Sequence, residues 1–239
     1  MYEAEKAQYL NSHGFRALSL KAVLFDMDGV LFDSMPRHAD AWVKACDLFG
    51  MHVAPEEVFF NEGRTGDDTI EIFAQKHLSR HATPQEKHDI YAEKCQIFNA
   101  NYKSETPRMP GAYELLQKVR DNRLKIGVVT GSGQASLLTR LDHAYHDLIN
   151  PALVVSCHDT LRGKPAPDPY LKGLEKVGAE PWEAVVVENA PLGVQAAAAA
   201  GIFTIGVNTG PLPPQALSEA GASLVFPSMQ SLAEAWPLF

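Results

Sequence analysis

Apolar residues along the chain gather into six short β-rich runs separated by stretches of helical spacing. The runs are 21–26 (KAVLFD), 125–130 (KIGVVT), 152–156 (ALVVS), 184–188 (AVVVE), 203–207 (FTIGV) and 222–226 (ASLVF). Near-continuous Val, Ile and Leu, in place of strict alternation, predicts strands buried on both faces, as in a parallel sheet. Between most of the runs the spacing turns helical. Residues 110–122 carry Leu115, Leu116 and Val119 on one face; 170–177 closes at Gly178 and 191–200 at Gly201. Both glycines read as residues just past a helix end. The alanine run at 196–200 reads as a helix packed closely on the sheet. Strands alternating with helices predict an α/β fold with a doubly wound, Rossmann-like parallel sheet.

One segment breaks the alternation. Residues 34–107 show almost no strand pattern and read as helices at 36–49, stopped by Gly50, then 68–78 and 84–102. Pro36 at the entry and Pro107 and Pro110 at the exit suit a hinged insertion. The expected organisation is an N-terminal extension (1–20), a core (21–33 and 108–239) and a helical cap (34–107) over the carboxyl edge of the sheet.

Composition narrows the class. The chain has 239 residues, 46% of them hydrophobic and 21% charged. That is a globular chain able to bury a sizeable core, which excludes a disordered one. Its net charge of −8 argues against nucleic acid or an anionic membrane as partner. It leaves room for a local cationic pocket. Cys46, Cys95 and Cys157 are too few and too scattered for a disulfide framework or a zinc site. The first twenty residues carry Glu3, Glu5, Lys6 and Arg16 and no apolar run, so they are not expected to act as a signal peptide. No apolar stretch is long enough to span a bilayer. A cytoplasmic monomer is expected.

The candidate chemistry lies where strands end. The first strand runs into Asp26-Met27-Asp28-Gly29. Residues i and i+2 of an extended chain face the same way, so the two carboxylates can flank one phosphoryl group, one attacking while the other handles a proton. Gly29 lets the backbone turn there. The second strand ends in Thr130-Gly131-Ser132-Gly133, where a hydroxyl and exposed N–H groups can hold phosphate oxygens. Lys164 lies in Gly163-Lys164-Pro165-Ala166-Pro167-Asp168-Pro169, a stiff loop that suits a fixed positive charge; the alternative is a solvated surface lysine. The fourth strand runs into Glu188-Asn189, oxygen donors that suit a hard cation such as Mg²⁺, or, for Asn189, the cap of a following helix.

Together, DMDGVLFDS, VVTGS, GKPAPDP and VVVENAPLGV resemble the haloacid dehalogenase superfamily of phosphotransferases, and most of all its β-phosphoglucomutase-like clade with a helical cap. The resemblance implies Asp26 as a nucleophile forming an aspartyl-phosphate and Asp28 as general acid and base with its carbonyl on the metal. It implies Thr130 and Lys164 as phosphoryl holders, with the fourth-motif residues completing a magnesium site. Two departures stand out. Asn189 replaces the usual Asp, an oxygen donor without charge. In the cap loop Glu62-Gly63-Arg64-Thr65-Gly66, Glu62 and Gly66 stand where the mutases carry Lys and Arg. Either Glu62 is a solvated cap charge, or it reaches the magnesium when the cap closes. Arg64 can bind a distal phosphate. EGRTG with ENAPLGV is similar to an inorganic-pyrophosphatase branch of the clade. His38 matches a mutase histidine that assists proton transfer, or is an ordinary helix-surface residue; Trp42 reads as cap packing. The expected function is a magnesium-dependent phosphohydrolase of a small phosphorylated substrate, with pyrophosphate first and a sugar phosphate next. β-Phosphoglucomutase is the alternative, and a non-catalytic phosphate-binding protein the distant one.

Overall fold

The computed structural model describes residues 2–101 and 106–238. Six parallel strands form one sheet in the order β3-β2-β1-β4-β5-β6. They are β1 Ala22–Phe25, β2 Lys125–Val129, β3 Val154–Val155, β4 Ala184–Glu188, β5 Phe203–Val207 and β6 Leu224–Phe226. All residues of β1, β4 and β5 are buried, which is why these runs lack polar alternation. Val23 and Phe25 point into one apolar layer and Leu24 into the other. The α/β reading therefore holds. The third run is shorter than expected, because Pro151–Leu153 forms a 3₁₀ turn ahead of β3.

Helices α1 Glu3–His13, α6 Ala112–Asp121, α7 Ala135–Tyr145 and α11 Met229–Ala235 carry side chains of the first layer. Helices α8 Asp168–Val177 and α9 Pro191–Ala199 cover the other face, and α10 Gln215–Glu219 packs beside β6. Gly178 and Gly201 follow their helices at φ 65° and 74°, where a side chain would be strained. The pattern did not reveal α1, α7, α10 and α11. Helix α1 nevertheless belongs to the core: Tyr9 is buried, its hydroxyl donates to Gly201 O at 2.9 Å, and its ring meets Phe203 edge-on.

Between β1 and β2 lie α2 Met35–Leu48, α3 Pro55–Phe60, α4 Gly66–Leu78 and α5 Pro84–Asn101. They pack around their own cluster of Trp42, Cys46, Ile70, Phe73 and Ile90. Helix α3 was not anticipated, and α4 starts two residues early because Thr65 caps it, accepting from Asp68 N. Tyr102, the expected end of the last of these helices, lies outside the described residues. The two connections to the core run side by side, with Asp33 N donating to Pro107 O at 3.0 Å and Met109 N to Leu31 O at 2.8 Å. Tyr145 ties Leu31 O to α7 at 2.6 Å. No helix among the described residues is long and apolar enough to cross a membrane.

Because Tyr9 fills a layer of the sheet, Tyr9→Ala is expected to cost about 3 kcal/mol of stability, in the range for emptying a buried aromatic site. Chemical denaturation checks this; a loss under about 1 kcal/mol would make α1 an appendage rather than part of the core.

Candidate active site

Strand order 3-2-1-4 brings the carboxyl ends of β1, β2 and β4 side by side, at the point where the chain reverses its winding. Asp26 continues β1, its N–H donating to Val187 O at 3.0 Å, and its carboxyl emerges at the sheet edge. Lys164 is 1% exposed. Its Nζ donates to Asp26 Oδ1 at 2.5 Å, to Glu188 Oε1 at 2.6 Å and to Val129 O at 3.1 Å. The solvated-lysine alternative is thereby excluded. Both Glu188 oxygens are engaged, Oε1 by Lys164 and Tyr170 Oη, Oε2 by the N–H groups of Asn189 and Ala190.

Charge crowding sets the electrostatics. Burial pushes the Asp26 carboxyl up to about 8; the Lys164 ammonium pulls it back, while Glu188 and Asp28 repel it. Burial works against the Lys164 charge, but Asp26 and Glu188 outweigh it and hold the ammonium above its ordinary range. Asp28 Oδ1 accepts from Ser34 Oγ at 2.5 Å and meets His38 Nε2 at 3.2 Å. Burial raises this carboxyl, yet His38, Ser34 and Lys94 more than offset that and leave it below the usual range. His38 is buried, not on a helix surface, and stacks on Phe98 with centroids 4.2 Å apart. Burial first, then Lys94, lowers its pKa, with Asp28 opposing.

The cap loop reaches the core. Glu62 Oε1 accepts from Asn189 Nδ2 at 2.7 Å. Its low-dielectric surroundings and the carboxylates of Asp26, Glu188 and Asp28 hold it well above the carboxylate range. It is therefore no solvated surface charge. Gly131 lies against the same loop, and a Cβ there would fall 2.3 Å from Gly63 O. Gly29 turns at φ 81°, and a Cβ would sit 2.2 Å from Asn189 Nδ2. Thr130 Oγ1 accepts from Ser132 N at 3.0 Å.

The pocket between cap and core has a volume of about 70 Å³ and is lined by Asp26, Asp28, Glu62, Arg64, Lys94 and Thr130 among others. Arg64 Nε is held by Asn61 Oδ1 at 3.1 Å. Sequence reasoning missed Lys94 and Tyr91, both on α5. Lys94 is 3% exposed. Its Nζ sits 5.2 Å from the Phe98 ring, 5.4 Å from Trp42 and 5.7 Å from Tyr91. Burial brings it down to about 8, with Cys95 and Asp28 opposing. The available signal was its spacing: Ile90, Lys94 and Phe98 recur every fourth residue, which puts a lysine on an apolar stripe. Tyr91 fills the space above Gly66, where a Cβ would meet its ring at 2.4 Å.

No group of three or more His, Cys, Asp and Glu stands in metal-holding geometry among the described residues. An amide completes the oxygen donors instead. Asn189 Oδ1 is buried and has no hydrogen-bond partner, an orphaned acceptor of the kind a cation satisfies. The set therefore fits a hard divalent ion.

Residues 23–207 match the family model described as haloacid dehalogenase-like hydrolase. Hexitol phosphatase A of Escherichia coli is 34% identical over 191 residues, 79% of this chain and 83% of its own. The phosphorylated carbohydrates phosphatase of Thermotoga maritima is 32% identical over 209 residues, 85% of this chain and 92% of its own. A solved Bacteroides vulgatus structure, provisionally named beta-phosphoglucomutase, aligns at a TM-score of 0.93 with 48% identity, over 98% of this chain and 95% of that one.

The Gly63–Gly131 approach leaves no room for a methyl group. Gly131→Ala is expected to hold the cap off the core and lower turnover at least ~10-fold through misplaced reacting groups. Far-ultraviolet circular dichroism should stay unchanged, and small-angle scattering should report a larger radius of gyration. Full activity in the variant would mean that this contact is not needed for closure.

Proposed function

The chain belongs to the haloacid dehalogenase-like hydrolase family, in its β-phosphoglucomutase-like clade, and from that premise we propose a phosphatase that works through an aspartyl-phosphate, with inorganic pyrophosphate as its favoured substrate. The observation that carries the choice is the closed contact of Glu62 with Asn189 over a cavity of about 70 Å³. Pockets for drug-sized ligands run to roughly 300–1,000 Å³. Two linked phosphates need less room than a hexose phosphate. Tyr91 narrows the cap side further, and it occupies the space an arginine at position 66 would need.

The roles proposed follow the geometry. An Asp26 oxygen attacks phosphorus and the bond to the leaving oxygen breaks; a phosphate departs without a proton, while a leaving group that needs one takes it from Asp28, which is ionised in the empty site and first picks that proton up from solvent. Water then attacks the acyl-phosphate, giving its proton to Asp28 and releasing phosphate with Asp26 restored. Ser34 and His38 hold Asp28. Lys164, Thr130 and the N–H groups of Gly131 and Ser132 hold the phosphoryl oxygens. Arg64 and Lys94 take the leaving phosphate, a second anion that a buried ammonium above the pocket suits. Asp26, the Asp28 carbonyl, Asn189 and Glu62 would hold Mg²⁺, with Glu188 shared between it and Lys164. When bound, the ion supplies Lewis-acid neutralisation of phosphoryl charge.

A sugar phosphate is the second reading, favoured by the names of the Escherichia coli and Thermotoga maritima relatives. A panel of hexose and hexitol phosphates with pyrophosphate, assayed with Mg²⁺, separates the two. Pyrophosphate is expected to exceed every sugar phosphate in kcat/KM, Asp26→Asn to be folded and inactive, and Glu62→Ala to lose about 10²-fold in kcat with weaker magnesium dependence. A sugar phosphate turned over fastest would establish the second reading. Primer-dependent conversion of β-glucose 1-phosphate to glucose 6-phosphate would falsify the hydrolase.

Lys94 gives the reaction a pH signature. Its ammonium is charged below about 8 and loses its proton above that value, which lowers kcat/KM on the alkaline side against the rise from ionisation of the Asp26 carboxyl, also at about 8. In Lys94→Arg the guanidinium keeps its charge, and that fall should disappear whatever the absolute rate. The same fall in both proteins would assign the ionisation to another group.

A further inference from the structure

Tyr170 is the third residue of α8 and fully buried. Its ring packs within the layer of Leu24, Val129 and Val186, where a phenylalanine would pack as well. The hydroxyl is the addition, and it leaves the apolar layer to donate to Glu188 Oε1 at 2.9 Å. That oxygen is the one that also receives Lys164 Nζ, at 2.6 Å. The ring face lies 5.0 Å from the same ammonium. The other oxygen, Oε2, is fixed by two backbone N–H groups at the start of α9. Gly193 gives the carboxylate its space, since a Cβ there would lie 1.6 Å from Oε1.

Resting on the acyl-phosphate chemistry but not on the choice of substrate, we infer that Tyr170 is a positioning residue whose hydroxyl, acting through Glu188, sets how Lys164 is shared between Glu188 and the reacting carboxylate of Asp26. Two donors compete for the charge on Oε1. With the hydroxyl present, part of that charge is neutralised by a neutral donor, and Lys164 stays free to sit 2.5 Å from Asp26. Without it, the whole charge of Oε1 falls to Lys164. The ammonium is drawn toward Glu188, away from Asp26 and from the phosphoryl oxygens it serves. The sequence places Tyr170 six residues after Lys164 in GKPAPDPY, so the stiff loop and the first turn of α8 carry both ends of this arrangement.

The test is Tyr170→Phe in the full chain, which keeps ring and volume. It is assayed at saturating Mg²⁺ with whichever phosphate substrate the wild type turns over fastest. The expected result is a fall of about 10-fold or more in kcat, the scale of losing a residue that orients a reacting group, with KM changed far less. Glu188→Gln with Tyr170→Phe should be no slower than Glu188→Gln alone, because the hydroxyl acts only through that carboxylate. Near-wild-type kcat in the folded variant, or losses that multiply in the double variant, would overturn the inference. If Glu188→Gln is too slow to measure, the ¹⁵N resonance of the Lys164 ammonium in magnesium-free protein decides: a shift in Tyr170→Phe supports the coupling and an unmoved resonance ends it. Choosing the substrate by rate keeps this result independent of the pyrophosphate reading, and Asp26→Asn reports separately on the acyl-phosphate.

Discussion

Everything at the sheet edge depends on one buried ammonium. Asp26, Asp28 and Glu188 come together because β1 and β4 end side by side, and burial makes each of those charges costly. Lys164 makes the arrangement tolerable by lying within 2.6 Å of both Asp26 and Glu188. Removing such a partner leaves a buried charge without compensation, the expensive way to break an ion pair. The proline-flanked loop, the hydroxyl of Tyr170 and the space left by Gly193 all serve to keep that ammonium in place. The same constraint holds Asp26 at the sheet edge, where the proposed reaction needs it, with an ammonium beside it.

Closure of the cap follows from the absence of side chains. Gly131 lies so close to the Gly63 carbonyl that a Cβ on Gly131 would strike it, while a Cβ on Gly63 would crowd the Lys164 side chain. Gly163 makes a similar approach to Thr65, where a Cβ would fall 2.7 Å from Thr65 Cγ2. The glycine-rich character of the motif loops therefore has two origins. Their N–H groups suit phosphate oxygens, and their lack of bulk lets the cap settle on the core until Glu62 meets Asn189.

The sheet was legible because a strand buried on both faces has only one kind of sequence: β1 and β4 up to Glu188 are Val, Leu, Phe and Ala alone, and β5 adds only the small Thr204 and Gly206 to Phe, Ile and Val. The strand-end residues were legible for a related reason: polar groups at the ends of such runs have no packing role, so Asp26, Thr130 and Glu188 stood out, while Lys164 stood out by the prolines around it. The helices that were missed lacked that contrast. Helix α1 is mostly polar on its surface and is tied to the core by Tyr9, and α10 and α11 are five and seven residues long. Lys94 was hidden by the habit of its residue type, since lysines usually face water. Its burial depends on Phe98, Trp42 and Tyr91 converging from α5 and α2, a contact that spacing along one helix cannot display. Glu62 and Asn189 could be paired only as alternatives in the sequence, because 127 positions separate them.

That pairing bears on why the site carries an amide where a carboxylate is usual. An Asp at position 189 would add a fourth charge beside Asp26, Asp28 and Glu188 in the open core, with only Lys164 to balance it. Asn189 keeps the oxygen and omits the charge. In the proposed reaction the missing charge comes from Glu62, which the surrounding carboxylates keep protonated without the ion and which would give up its proton as the ion binds. The metal site is then complete only when water has been excluded and the small cavity formed. On that proposal metal strength and closure would become one event, with full electrostatic stabilisation reserved for a substrate small enough to be enclosed. A larger phosphate ester would prop the cap open and leave the ion with a neutral amide. Discrimination by size would thus be read out as charge at the metal, without a dedicated contact to the part of the substrate being rejected.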